Sequence, residues 1–155
     1  MRNKYLLIFG FILGIAACNP KMKPNTPYIA EVNFLYKDAQ GTIGVKSVGY
    51  GKNNEDAIMD AQENAFNVIL FKGLPGTEMN IPLVENEYEA KSRNPKYFKK
   101  FFNDQYYKTF LMSSNESSNL IDLKNTKKIS VDIKINYNSL RKDLEINQII
   151  RKFGY

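Results

Sequence analysis

Glu85, Glu87 and Glu89 recur at every second residue, a spacing that sets three carboxylates on one side of an extended segment. Clustered carboxylates can hold calcium, and a facing pair can hydrolyse a glycosidic bond. No aspartate lies among these three and no EF-hand spacing surrounds them, so a solvated loop is the simpler expectation for residues 78–94. Gly49-Tyr50-Gly51 has the start of a dinucleotide-binding loop, but Asn54 stands where the third glycine belongs. Glycines easing a strand-to-helix turn is the plainer reading. The sequence holds no histidine, no tryptophan and a single cysteine, Cys18. That removes Ser-His-Asp and Cys-His nucleophilic sites, His-ligated zinc, multi-cysteine metal knuckles and internal disulfides. Few groups are left that titrate near neutrality. No enzyme and no cofactor are therefore expected, with a hydrolase using carboxylates alone as the residual alternative.

Cys18 has its own setting. Arg2 and Lys4 form a short basic start, Leu6 to Ile15 are an apolar run, and Ala16 and Ala17 precede the cysteine. The run is short of the roughly 20 residues a membrane-spanning helix needs. Ile15-Ala16-Ala17-Cys18 resembles the lipobox of bacterial lipoprotein signal peptides. The resemblance implies cleavage between Ala17 and Cys18, a diacylglyceryl thioether on Cys18, and an acyl chain such as palmitate on its new amine. Residues 1–17 would then be a cleaved signal peptide. Three chains exceed the two hydrophobic signals that stable anchoring needs, at ~0.8 kcal/mol per buried CH₂. Asn19 is not the aspartate that marks inner-membrane retention, and no acidic run follows. An outer-membrane anchor facing the periplasm is expected.

The 155 residues are 43% hydrophobic, 25% charged and 13% aromatic, with a net charge of +6. This profile fits one folded domain. Cleavage would remove two bases and no acid, leaving +4. So modest an excess suits anionic lipid or an acidic protein partner and gives no basis for nucleic-acid binding.

The elements that must position these groups follow from periodicity. Residues 18–27, rich in proline and lysine, read as a tether of about 30 Å. A single domain is expected over 28–155. Residues 28–37 and 42–50 predict a hairpin about an Asp38–Gly41 turn. Asn53 or Asn54 caps a helix over 54–71 that Gly73 stops. Ala57, Ile58, Ala61, Ala65, Val68 and Ile69 share the face expected against a sheet. Met59, Phe66 and Leu70 form a second stripe, which another segment of the chain is expected to cover. Left bare, it is the place to look for a protein partner. Asn94 and Pro95 open a short helix over 95–104 with Phe98, Phe101 and Phe102 on one face and Lys96 and Lys100 opposite, suited to core packing or to a membrane surface. Residues 105–112 read as a strand, 113–126 as a Ser/Asn-rich hairpin connection, and 127–137 as a strand with Ile129, Val131, Ile133, Ile135 and Tyr137 on one side. Asn138 or Ser139 caps a last short helix over 139–146, with Leu140 and Leu144 inward.

The order gives an α+β fold: an antiparallel sheet of about four strands, one main helix on one face, and two short helices. Residues 43–71 resemble in detail, and 28–137 in outline, the LPP20-type and flagellar FlgT N-terminal-like envelope lipoprotein modules. The carrying residues are Gly49 and Gly51 closing a strand, the acidic helix start, and alanines four apart. The resemblance implies an accessory part of a secretion, motility or other envelope complex, without catalytic residues. The alternative is a periplasmic binding module for a glycan or peptide, lined from the ten tyrosines and ten phenylalanines.

Overall fold

Asp38 makes the first hairpin. Its carboxylate accepts from the backbone N–H of Gln40 at 3.0 Å and Thr42 at 2.8 Å, and Gly41 takes φ +82 to close the turn. The strands it joins are β1 (Val32–Lys37) and β2 (Thr42–Gly51). The computed structural model describes residues 31–152. The expected signal peptide 1–17, the cleavage site at Ala17, the lipidation site Cys18, the tether 18–27 and residues 28–30 and 153–155 of the expected domain lie outside them.

The fold is α+β. After β2 come α1 (Asn54–Phe71), α2 (Glu87–Arg93) and α3 (Pro95–Phe98). α3 runs into a π-helical turn, Lys99–Asn103, and a 3₁₀ turn, Tyr106–Phe110. β3 (Leu111–Glu116), β4 (Ile121–Leu123), β5 (Thr126–Asn136) and α4 (Tyr137–Ile146) complete the order. The sheet is antiparallel throughout in the order β1-β2-β5-β3, with β4 also paired to β5. It has five strands rather than about four.

Period-two burial sets the register. Ile43, Val45, Ser47 and Gly49 of β2 stand opposite Ile135, Ile133, Val131 and Ile129 of β5. All eight are buried on one face. α1 lies on that face through Ala57, Ala61 and Ala65, each fully buried. Small side chains admit the helix backbone, and Gly49 and Gly51 complete the fit: a Cβ on either would strike the backbone of α1. The glycines therefore serve close helix-on-sheet contact within the strand, not the turn that follows it, and no dinucleotide loop is formed.

Both ends of α1 are closed. The Asn53 side chain accepts from the Asp56 N–H at 2.8 Å. At the other end the carbonyl of Val68 accepts from Lys72 and Gly73, that of Ile69 from Leu83, and that of Leu70 from Val84. The segment after the helix thus supplies donors for its orphan carbonyls.

The second face of α1 is covered by the chain itself. Phe66 and Leu70 are fully buried and Met59 is half-buried. The Phe66 ring lies 5.8 Å from Phe101 and 5.2 Å from Tyr107, centroid to centroid, and Phe71 lies 5.6 Å from Phe98. Residues 95–110 form an aromatic cap, so the layers run sheet, α1, cap. The Met59, Phe66 and Leu70 stripe is no free partner surface, because burying these apolar side chains outweighs leaving them in water.

Local departures from the sequence reading have local causes. Residues 87–93 are helical, since the Asn86 side chain caps them by accepting from the Glu89 N–H at 3.0 Å. Asn94 gives α3 no side-chain cap; its amide donates to the Ala90 carbonyl and closes α2 instead. Residues 106–110 are a 3₁₀ turn rather than a strand, entered through Gln105 at φ +57. That turn sends Tyr107 and Phe110 into the cap, where both are buried. The pairing strand starts only at Leu111. α4 begins at Tyr137, capped by Asn136 and not by Asn138 or Ser139; its Leu140 and Leu144 are fully buried.

Candidate functional site

The helical winding of α2 separates the glutamates that the sequence placed together. Residues two apart on a helix point about 200° away from one another. Glu87 sits between Lys91 at 2.6 Å and Lys72 at 3.3 Å, while Glu89 pairs with Arg93 at 2.6 Å and Glu85 is exposed ahead of the helix. Partial burial works against the Glu87 carboxylate, yet the hydrogen bonds and charges of Lys91 and Lys72 hold its pKa below the ordinary 4.5. Phe71 floors an open groove of about 710 Å³ that Glu85, Glu87, Tyr88 and Lys91 help to line. The Lys91 ammonium lies 4.7 Å over the Phe71 ring. Each acid with a basic partner is accounted for as an ion pair. No group of three or more His, Cys, Asp or Glu among the described residues is placed to hold a metal ion.

The cap builds a second site that no local signal announces. Asp143 of α4 accepts from the Tyr97 hydroxyl at 2.7 Å through one oxygen and from Tyr106 at 3.0 Å through the other. The π-helical turn shapes this arrangement: the Asp104 N–H reaches the Lys99 carbonyl five residues back, so the helix bulges before the chain reverses at Gln105. Such bulges recur at functional positions. Burial, then the hydrogen bond to Asp143, pushes the Tyr97 pKa well above its ordinary 10. For Tyr106 the hydrogen bond to Asp143 is the larger cause of a rise. Both hydroxyls are thus protonated donors at neutral pH. The Lys100 ammonium stands 4.2 Å over the Tyr106 ring. Lys96, Tyr97, Lys100, Tyr106 and Asn147 enclose a cleft of about 250 Å³. Tyr97 and Asp143 lie 46 residues apart, beyond any spacing rule. The alternation of aromatics and lysines over 96–102 is the one trace of the cleft in the sequence.

The outer face of the sheet is a third surface. Lys46 and Asp132, in register across β2 and β5, approach to 3.6 Å. Lys128 lies 5.5 Å over the Tyr50 ring and 3.7 Å from Glu31. The Tyr36 ring covers Gly44, where a Cβ would strike it. Met112 is exposed on this face and its sulfur accepts from the Thr42 hydroxyl at 3.6 Å. Leu35 and Ile121 are also exposed, each close to half. This face has no covering layer among the described residues.

No family model, no curated protein and no solved structure matches the chain.

Proposed function

We propose that this chain is a non-enzymatic, lipid-anchored accessory or assembly component of a bacterial cell-envelope complex. It is held through lipid on Cys18, at the outer membrane facing the periplasm, and docks to a protein partner through the open face of its sheet. The docking face is carried by one observation. α1 is covered on both sides by its own chain, whereas the sheet's outer face leaves Leu35, Tyr36, Met112 and Ile121 exposed among charged groups. Exposed apolar side chains interspersed with charged ones, on a sheet face that no other element covers, have the mixed composition of a protein interface.

Two measurements test the two halves of this reading. Cys18→Ser is expected to abolish incorporation of labelled fatty acid and to lower membrane retention; equal labelling of the variant overturns the anchor. A photo-crosslinker at Met112 is expected to trap one discrete envelope protein, and Tyr36→Asp to abolish that product without lowering the melting temperature by more than a few degrees. An unchanged crosslink in Tyr36→Asp overturns the docking face. A second reading, a binding module for a glycan or peptide, draws on the groove beside Tyr88, which is 83% exposed. Saturable quenching of tyrosine emission by peptidoglycan fragments, lost in Tyr88→Ala, would favour that reading over docking.

A further inference from the structure

The cations of this molecule are distributed unevenly. Lys37, Lys46, Lys72, Lys91, Arg93, Lys127, Lys128 and Arg141 each lie within 4 Å of an acidic oxygen. The cap differs. Lys96, Lys99, Lys100 and Lys108 are all exposed and none of them forms an ion pair among the described residues. Asp104 is the only acid on the same stretch, 95–108.

We infer that the outer face of the cap, with the Lys96–Lys100 cleft at its centre and Lys99 and Lys108 beside it, seats phosphate groups of an anionic lipid surface. The chemistry of the cleft supports this. Lys96 and Lys100 are one turn apart and repel one another until an anion lies between them. The nearby Asp143 carboxylate is engaged by two tyrosine hydroxyls, and the two lysines of the cleft outnumber its single negative charge. A cleft of about 250 Å³ admits a phosphodiester headgroup. Ile146, next in the chain to the cleft residue Asn147, is 65% exposed, and Tyr106 is partly exposed. Lysine, an aromatic ring and one bare aliphatic side chain make up the composition that lies at a bilayer interface.

The layer order makes this consistent with docking elsewhere. With the cap against lipid, the sheet's outer face points away from the membrane, on the far side of α1. Chain length does not oppose it: from Cys18 to Glu31 the chain reaches about 45 Å at full extension, while a domain of this size is about 35 Å across. Any face can be turned to the bilayer, and charge selects which. The proposal rests on the anchored reading above, and the following experiment separates the two.

The full lipidated chain is reconstituted by its own anchor into phosphatidylcholine vesicles, and into vesicles containing added phosphatidylglycerol. Each lysine is then scored for its rate of acylation by a water-soluble amine reagent. A basic side chain at an anionic leaflet gains about a five-fold factor. Lys96, Lys99, Lys100 and Lys108 are expected to react at least five-fold more slowly in the anionic vesicles, while Lys46 and Lys134 of the sheet keep their rates. Raising salt from 0.1 to 1 M shortens the screening length from about 10 to about 3 Å and should erase the difference. Changing Lys96→Gln and Lys100→Gln together, both exposed, should return Lys99 and Lys108 to their rates in neutral vesicles. Equal rates in both vesicle types, or equal slowing of cap and sheet lysines, overturns the proposal. Slowing in neutral vesicles on addition of soluble glycerol phosphate would assign the cleft to a free phosphate ester and overturn the lipid assignment. Loss of the protein from vesicles on washing counts against the anchor alone, as retention is scored separately from lysine rates.

Discussion

Gly49 lies against the backbone of Ala61. A Cβ on Gly49 would overlap the Ala61 nitrogen and the Ala57 carbonyl oxygen, so strand and helix touch main chain to main chain. Gly49→Ala is expected to cost about 3 kcal/mol, the upper part of the range for overpacking, because the obstacle is backbone and cannot rotate away. Ala61→Leu should cost about 1–3 kcal/mol for the same reason. Urea unfolding midpoints measure both. Unshifted midpoints would mean that α1 does not rest on β2.

Phe66 anchors the cap to α1. Phe66→Ala should cost about 3–5 kcal/mol, through lost transfer energy and the cavity between Phe101 and Tyr107. Phe66→Asp should cost more and leave the domain largely unfolded at 37 °C, because a carboxylate there has no partner. A cooperative, unshifted melt of Phe66→Asp would show the ring to be exposed.

How much of this was readable beforehand depended on whether the cause was local. α1 has the bounds its cap, period and terminal glycine dictate, since Asn53 and Gly73 act within a few residues of the ends they fix. The buried face of β5 follows from strict alternation at Ile129, Val131, Ile133 and Ile135. Residues 106–110 have strand-like composition, but their rings bury more by turning into the cap beside Phe66 and Phe101. That preference is a property of the tertiary partner and is invisible in the segment. α2 was masked by glutamates alternating as in a strand, although the Asn86-to-Glu89 spacing is a helix-start signal. The Asp143 clasp depends on two tyrosines brought together by a bulged turn, and no sequence rule reaches it.

The clasp predicts an alkaline weakness. A tyrosine whose folded pKa is raised above its unfolded value of about 10 stabilises fully below pH 10 and loses that contribution as pH rises beyond it. Stability should therefore fall above pH 10. Tyr97→Phe should cost about 1.5–3 kcal/mol at pH 7, and its stability should fall less steeply above pH 10, by about 1.4 kcal/mol per pH unit. Lysine titration is common to both proteins and cancels in the comparison. Parallel curves for the two would remove Tyr97 as the cause.

Glu87 should act in the opposite sense. Its depressed pKa makes its contribution present above pH 4.5 and lost as pH falls through the folded value. The pair is substantially exposed, so Glu87→Gln should cost under about 1 kcal/mol at pH 7. The gap between variant and parent should close as pH falls below the folded value, as both then carry a neutral side chain. A gap that persists at low pH would make the effect one of packing rather than charge.

The place of β5 in the sheet has a consequence for the order in which the chain can fold. It lies between β2 on one side and β3 with β4 on the other, yet among the described strands it comes last in sequence. Without Thr126–Asn136, β2 lacks its second neighbour, and an apolar strand edge stands open beside a helix that can already have formed. Purified chains that stop before Thr126 should therefore associate with one another, and those extended past Asn136 should not.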